Sequence, residues 1–361
     1  MNRRWICTDV WMDILPSFDR PKLGLQMALL SFRFDVLVDK HFDDKTTELT
    51  IWRPISILKD ERPKPIVSVR VDGKWVDFPF PDCPLRDKIR FKKLLIEYID
   101  HSVITFLHSN KQIWDRSGTK LELDVWSSSK TDNQAIWDAF ARQIWPIFAT
   151  NIRHLGFTDC GHLDNLRRLI SPTILTDLDQ LNSITSDDQF LDVIADFDGP
   201  NANSGKALSK WLHTPSTDGQ PKRLRCRNYS PNLKWVNNYK EIFLRATASV
   251  SYKIRFGFWM TTTAIEPFEL VNERTKEKLT LSKESSYNNW LLKRCPIVSE
   301  TAAVQQQKKD ANSDDDWEHE NLDHLNGINF ILHGNCIGPL SPPEQSDEKV
   351  FSFPGPSDQS D

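Results

Sequence analysis

What this chain lacks narrows it first. No uninterrupted apolar run reaches the roughly 18 residues that a bilayer-crossing helix needs, so no membrane partner is expected. Glycine is scarce, 13 in 361 residues, and no Gly-x-Ser-x-Gly occurs. A glycine-rich phosphate cradle and a nucleophile elbow are therefore out of view. The six cysteines, at 7, 83, 160, 226, 295 and 336, include no Cys-x-x-Cys pair. That spacing excludes the common zinc and thioredoxin motifs and predicts free thiols in a reducing compartment, cytoplasmic and/or nuclear. Two arginines follow the first residues without the apolar stretch of a signal peptide. Neither sign of charge dominates, with a net of −4; residues 299–361 carry 3 Lys/Arg against 13 Asp/Glu, which leaves a mildly basic body. So weak and dispersed a balance predicts no nucleic-acid partner.

What is present is apolar substance. Hydrophobic residues make up 39% and Trp occurs 13 times, enough for a sizeable core and large buried or interface aromatics. The N-terminal forty residues are the most informative. Thr8 stands where it can cap a helix from Asp9, with Val10 and Ile14, and Trp11 and Leu15, one helical turn apart. Pro16 stops that helix, Asp19 caps a second with Pro21 in its first turn, and a third short helix carries Phe34, Leu37, Val38 and His41 on its apolar side. Three short helices cannot hide this much apolar surface among themselves, so part of it must face another surface.

These residues resemble the F-box family. Ile6-Cys7-Thr8-Asp9 stands at the start of that pattern, Ile14-Leu15 at its aliphatic pair, Asp19-Arg20-Pro21-Lys22-Leu23 at its turn and Ser31-Phe32-Arg33-Phe34 near its end. Cys7 replaces the usual Pro and Asp9 the usual Glu. The resemblance covers residues 5–42 and implies that this segment binds a Skp-family adaptor and, through it, a cullin. Ile6, Val10, Ile14, Leu15, Leu23 and Phe34 would then supply the apolar contact or the helix packing behind it, and changing Ile14 and Leu15 together to Asp should abolish adaptor binding. A helical cap packed on its own body is the competing reading of the same residues.

Beyond residue 42 the pattern turns to strands. Residues 43–88 read as a β meander, with Asp72-Gly73 as a hairpin signal and Arg62-Pro63-Lys64-Pro65 as a break. Residues 89–264 alternate strand and helix. Strand-like runs open near Leu94, Leu121, Leu155, Leu181 (a Leu178-x-x-Leu181 run), Leu224 and Ile254, with helices over His101–Trp114, Ala135–Ala149, Leu163–Leu175, Lys206–His213 and Leu233–Thr247 between them. This alternation resembles a degenerate leucine-rich-repeat solenoid, best matched by Ile152 to Cys160. An ordinary α/β sheet would alternate likewise, and both stay open. Residues 265–298 read as a closing β hairpin with Trp290 to Cys295 as a further strand, 299–320 as an acidic linker, 321–340 as a short terminal strand and 341–361 as a disordered tail. The expected fold class is α+β: a three-helix F-box, then a curved strand–helix solenoid with flanking β hairpins. The whole order resembles the expanded F-box families of nematodes, which implies a substrate receptor.

Chemistry-bearing motifs are near misses. Gly199 to Ala207 has five residues between its glycines and Ala where a P-loop needs Ser or Thr. Cys160-Gly161-His162 lacks a second metal-binding pair, and His319 and His324 lie among acids. No catalytic residue, cofactor or metal is expected. The repeat reading places Glu97, Glu122, Asp124, Arg225, Arg227 and Arg255 on the concave face, as an acidic half and a basic half suited to a protein target. A plain exposed strand face is the competing and simpler account of the arginines. The expected function is thus the substrate-receptor subunit of a cullin–RING ubiquitin ligase; the alternative is a non-catalytic interaction module whose F-box-like cap no longer engages a ligase.

Overall fold

The computed structural model describes residues 6–18, 22–23, 27, 30–43, 49–51, 55–59, 64–71, 74–81, 84–85, 89–126, 130–186, 204–229, 234–258, 266–284, 289–297, 325–333 and 336–341. They form a mixed α/β structure built on one large sheet.

The N-terminal segment holds helix α1 (Thr8–Ile14), a single 3-10 turn over Leu15–Ser17 and helix α2 (Phe32–Asp43). The first helix starts at Thr8 itself, one residue before the position its sequence suggests. Cys7 occupies the N-cap with no side-chain bond, so Thr8 is not the cap. Pro16 tightens the last turn into the 3-10 form. The expected second helix falls mostly on residues outside the described ones. Leu15, Leu23, Met27, Leu37 and Val38 make a small core separate from that of the body, and Trp11 packs edge-on to Phe34 at 4.8 Å.

The meander is more divided than its sequence suggests. Its first run splits into β1 (Leu49–Ile51) and β2 (Ile55–Leu58), followed by β3 (Ile66–Val71) and β4 (Lys74–Pro79). The strands β2, β3 and β4 pair antiparallel, whereas β1 pairs parallel with β5 (Ile89–Phe91) in a small sheet of its own. Next comes β6 (Leu94–Ile96), which pairs parallel with β2 and joins the meander to the main sheet.

From Thr119 to Phe258 each strand is preceded by helix. The stretch from His101 breaks into α3 (His101–Ser109) and α4 (Lys111–Ser117), because fully buried Asn110 spends its amide on the Phe106 carbonyl (2.7 Å) and on the Leu85 N–H (2.6 Å). After β7 (Thr119–Trp126) come α5 (Lys130–Ala139), a π turn over Phe140–Ile144 and α6 (Trp145–Phe148). Pro146 has no N–H to give back to the preceding turn, and the helix widens there. The sequence continues as β8 (Ile152–Phe157), α7 (Cys160–Leu169), α8 (Ile174–Asp177), β9 (Ser183–Ser186), α9 (Ser204–Leu212), β10 (Lys222–Tyr229), α10 (Lys234–Arg245) and β11 (Tyr252–Phe258). The fourth repeat strand therefore lies at Ser183–Ser186 and not at Leu178 to Leu181. Those two leucines are buried, but they close a turn through the Leu181 N–H to the Leu178 carbonyl.

The strands β12 (Phe268–Asn272), β13 (Glu277–Lys283) and β14 (Asn289–Pro296) form an antiparallel group, and β14 joins the edge of β11. The last strand, β15 (Asn326–His333), does not sit at an edge. It inserts parallel between β6 and β7, so the thirteen-stranded order is β12-β13-β14-β11-β10-β9-β8-β7-β15-β6-β2-β3-β4. A regular solenoid would make β6 and β7 neighbours; here the final strand separates them.

Period-two alternation fixes what each strand shows. Leu121, Leu123 and Val125 on β7, Ile328, Phe330 and Leu332 on β15, and Leu224 and Cys226 on β10 enter one continuous core with Trp114, Trp137, Phe140, Phe148, Trp211 and Phe243 of the helices. Phe330 is fully buried and meets Phe140 at 5.2 Å and Phe148 at 6.3 Å. The alternate residues of β7 to β11 and β15 lie on the opposite face, which that core does not fill.

Candidate functional site

The open face is organised by register. On β7 it presents Lys120, Glu122, Asp124 and Trp126; on β15, beside them, Gly327, Asn329, Ile331 and His333; on β8, His154 and Gly156. Thr185 follows on β9, then Arg223 and Arg225 on β10, and Lys253 and Arg255 on β11. At about 4.8 Å per strand, β7 and β10 are roughly 14 Å apart. An acidic group and a basic group thus share one face, as the alternation of their strands predicts.

The structure changes the neighbours within each group. Glu97 lies just past β6, half-buried, with its N–H bonded to the Ile57 carbonyl at 2.9 Å. It is not beside Glu122, because β15 stands between them and sets Asn329 there. The Asn329 amide donates to Glu122 Oε2, and Lys120 pairs with Oε1 at 3.0 Å. Burial pushes the Glu122 carboxyl up, but Lys120, His154 and the Asn329 amide outweigh it and hold the group below its usual value. Arg225 sits directly opposite Arg255. That like-charge pairing is relieved at Arg255, whose guanidinium holds Glu284 at 2.7 and 3.1 Å. The basic half is thus partly neutralised from within. Arg227 lies on β10 past the regular register with Arg255's strand, and its side chain falls outside the described ones.

Asp124 has a different position. Its Oδ1 accepts from Thr158 Oγ1 at 3.0 Å and lies 3.3 Å from His333 Nε2. Two residues on, Trp126 is 63% exposed and touches the His333 ring edge-on at 6.5 Å. A cavity of about 120 Å³ opens between β7, β8, β9 and β15, lined by Glu122, Asp124, Gly156, Thr158, Thr185 and Asn329. Sequence reasoning found Glu122 and Asp124 but missed Trp126, Thr158, Asn329 and His333. Trp126 could have been found, since it continues the parity of Glu122 and Asp124; Asn329 and His333 could not, since nothing local says where β15 inserts.

The expected adaptor residues divide by exposure. Ile6 and Val10 are both exposed, Ile14 and Phe34 half-buried, and Leu15 and Leu23 enclosed in the small core. Leu30 and Val36, which sequence reasoning did not select, are also exposed. Arg33 donates to the Ile6 carbonyl and ties the start of the segment to its last helix.

A second polar cluster lies on the core side. Arg294 and Glu277, both essentially fully buried, pair at 2.6 and 3.1 Å, and Arg294 also donates to the Ala248 carbonyl. Glu277 Oε1 accepts from Ser249 Oγ and from the Val250 N–H, so its oxygens are fully used. Burial pushes this carboxyl up, and the Arg294 and Ser249 bonds outweigh it and leave it low. Nearby, burial holds the Lys222 amine down at about 8 while its head bonds the Trp211 carbonyl at 2.6 Å. His213 is pushed down to about 4 by burial, against its bond to the Ser209 carbonyl. The charged groups of this cluster are matched within the core, and it reads as structural.

Among the described residues no group of three His, Cys, Asp or Glu side chains is placed to hold a metal ion, and no helix is long and apolar enough to cross a membrane. Protein-family models, curated proteins and solved structures contain no match to this chain.

Proposed function

We propose that the chain is the substrate-receptor subunit of a cullin–RING ubiquitin ligase. Residues 5–42 bind a Skp-family adaptor that carries the cullin, and the strand–helix body holds a protein target. The observation that carries this reading is the N-terminal segment itself. It has a core of its own and still leaves Ile6, Val10, Leu30 and Val36 in solvent. A cap that existed only to cover the body would spend those side chains on the body. Each aliphatic side chain buried at a partner contributes on the order of 1.5–3 kcal/mol. The parallel order of β7 to β11, with helix between successive strands and one face left open, supports the curved-solenoid reading of the body.

The mechanism is proximity. A receptor raises the effective concentration of a target's lysines near a ubiquitin-loaded enzyme and makes or breaks no bond itself. Co-purification with a Skp-family adaptor and a cullin tests the reading. The full chain is expected to retain both, and Ile6→Asp with Val10→Asp to lose both while the body stays folded. Exposed positions serve this test better than Leu15, whose replacement would break the small core. Retention by the variant, or no binding by the full chain, contradicts the proposal.

A further inference from the structure

The open face has a slot whose chemistry specifies what fills it. Its floor is the bare backbone of Gly156, where an added Cβ would come within 2.8 Å of Glu122 Cγ. Glycine here lets Glu122 lie across β8 and leaves the cavity of about 120 Å³ beside it. That volume is the scale of a side-chain head group.

The charges are not equally used. Glu122 has both oxygens engaged, by Lys120 and Asn329. Asp124 engages only Oδ1, with Thr158 and His333; among the described residues nothing donates to Oδ2. Its carboxylate also remains 40% exposed at the mouth of the slot. Trp126 adds a second and independent feature. Its indole stands in solvent on the same side of β7, and its N–H has no acceptor among the described residues. Two strand residues span about 7 Å, so a group lying over the indole reaches the Asp124 carboxylate. Tryptophan is the side chain whose face best attracts a cation. A planar cation that stacks flat on an aromatic ring while it donates from its edge to a carboxylate oxygen is a guanidinium, not an ammonium.

We infer that an arginine side chain of the target protein docks over β7 at the edge of the slot, its guanidinium stacked on Trp126 and bonded to Asp124. This rests on the reading of the open face as the target-binding surface and names the chemistry of that target. Thr158 and His333 act as positioning residues that engage Asp124 Oδ1 and leave Oδ2 to the guanidinium.

The test uses the full chain with ¹⁵N-labelled indoles, the Trp126 signal being assigned by its loss in Trp126→Phe. The probes are N-acetyl-Gly-Arg-Gly-amide and its lysine and citrulline counterparts, titrated at constant ionic strength. The expected result is a saturable shift of the Trp126 signal with the arginine probe, a weaker one with lysine and none with citrulline. Asp124→Asn should weaken the arginine probe by about 10-fold or more, equivalent to about 1.4 kcal/mol. Trp126→Leu, followed on the remaining indoles and by calorimetry, should weaken it as well. Trp126 is exposed and Asp124 partly so, and both variants should unfold close to the wild-type midpoint. No shift with arginine, an equal shift with citrulline or lysine, or full affinity in Asp124→Asn overturns the inference. The assay contains no adaptor. If the adaptor binds and the arginine probe does not, the receptor reading stands and the slot falls; if the probe binds and the adaptor does not, the slot stands alone.

Discussion

Two carboxylates on well-separated strands of the same sheet, Glu277 on β13 and Asp124 on β7, have opposite fates. Glu277 points into the core, where Arg294, Ser249 and the Val250 N–H occupy its oxygens. Asp124 points to the open face, where Thr158 and His333 meet one oxygen and the other is left to solvent. A buried charge must be matched completely, because leaving it unpaired costs several kcal/mol. A partly exposed charge carries no such demand, and its remaining capacity is available to a partner. The contrast separates polar groups that hold the fold from polar groups that can recognise something.

The comparison breaks most sharply at its buried end. Glu277→Gln should destabilise the chain by about 3–5 kcal/mol in urea unfolding, since it leaves Arg294 charged in the core. The double change Glu277→Leu with Arg294→Met should cost far less, and a loss as large as that of Glu277→Gln would mean that packing, not unmatched charge, sets the cost. Phe330→Ala on β15 should cost about 3–5 kcal/mol, because the ring is fully buried between Phe140 and Phe148. A loss below about 1 kcal/mol would place β15 outside the cooperative core.

A smaller effect reports on His213 through pH. Its folded value of about 4 lies below its ordinary 6.5, so between these values the unfolded chain binds more protons than the folded one. Stability should therefore fall as pH drops from about 6.5 toward 4, by up to roughly 3 kcal/mol from this group. Glu277, held low, adds a loss in the same direction below its ordinary value. His213→Gln should flatten only the upper part of that profile, and an unchanged profile would remove His213 from the account. Smallest of all, Asp124→Asn should change stability by less than about 1 kcal/mol, as expected for an exposed pair, while it weakens the arginine probe.

How much of this was legible in the sequence differs by kind of information. Alternation alone put Glu122 and Asp124 opposite Leu121, Leu123 and Val125, and the Phe268 to Cys295 strands were plain from their pattern. The same alternation from Trp290 through Leu292 to Arg294 signals an arginine on the core side, a cue that is available in the sequence and easily passed over. Local pattern misplaced the fourth repeat strand because Leu178 and Leu181 are as apolar as a strand but close a turn. It also missed the break at Asn110, where one buried amide satisfies two backbone groups. Long-range topology lay beyond reach. Nothing near residues 326–333 says that they enter the sheet between strands that precede them by more than 200 residues, and that insertion moves Glu97 away from Glu122.

The central claim is a division of labour: the N-terminal segment for the adaptor, the open face for the target. Calorimetric titration of a Skp-family adaptor into the full chain, into Ile6→Asp with Val10→Asp, and into Asp124→Asn tests it most directly. The account predicts equal affinity for the full chain and Asp124→Asn, and none for the N-terminal double variant. Equal binding by all three proteins, or by none, would contradict it.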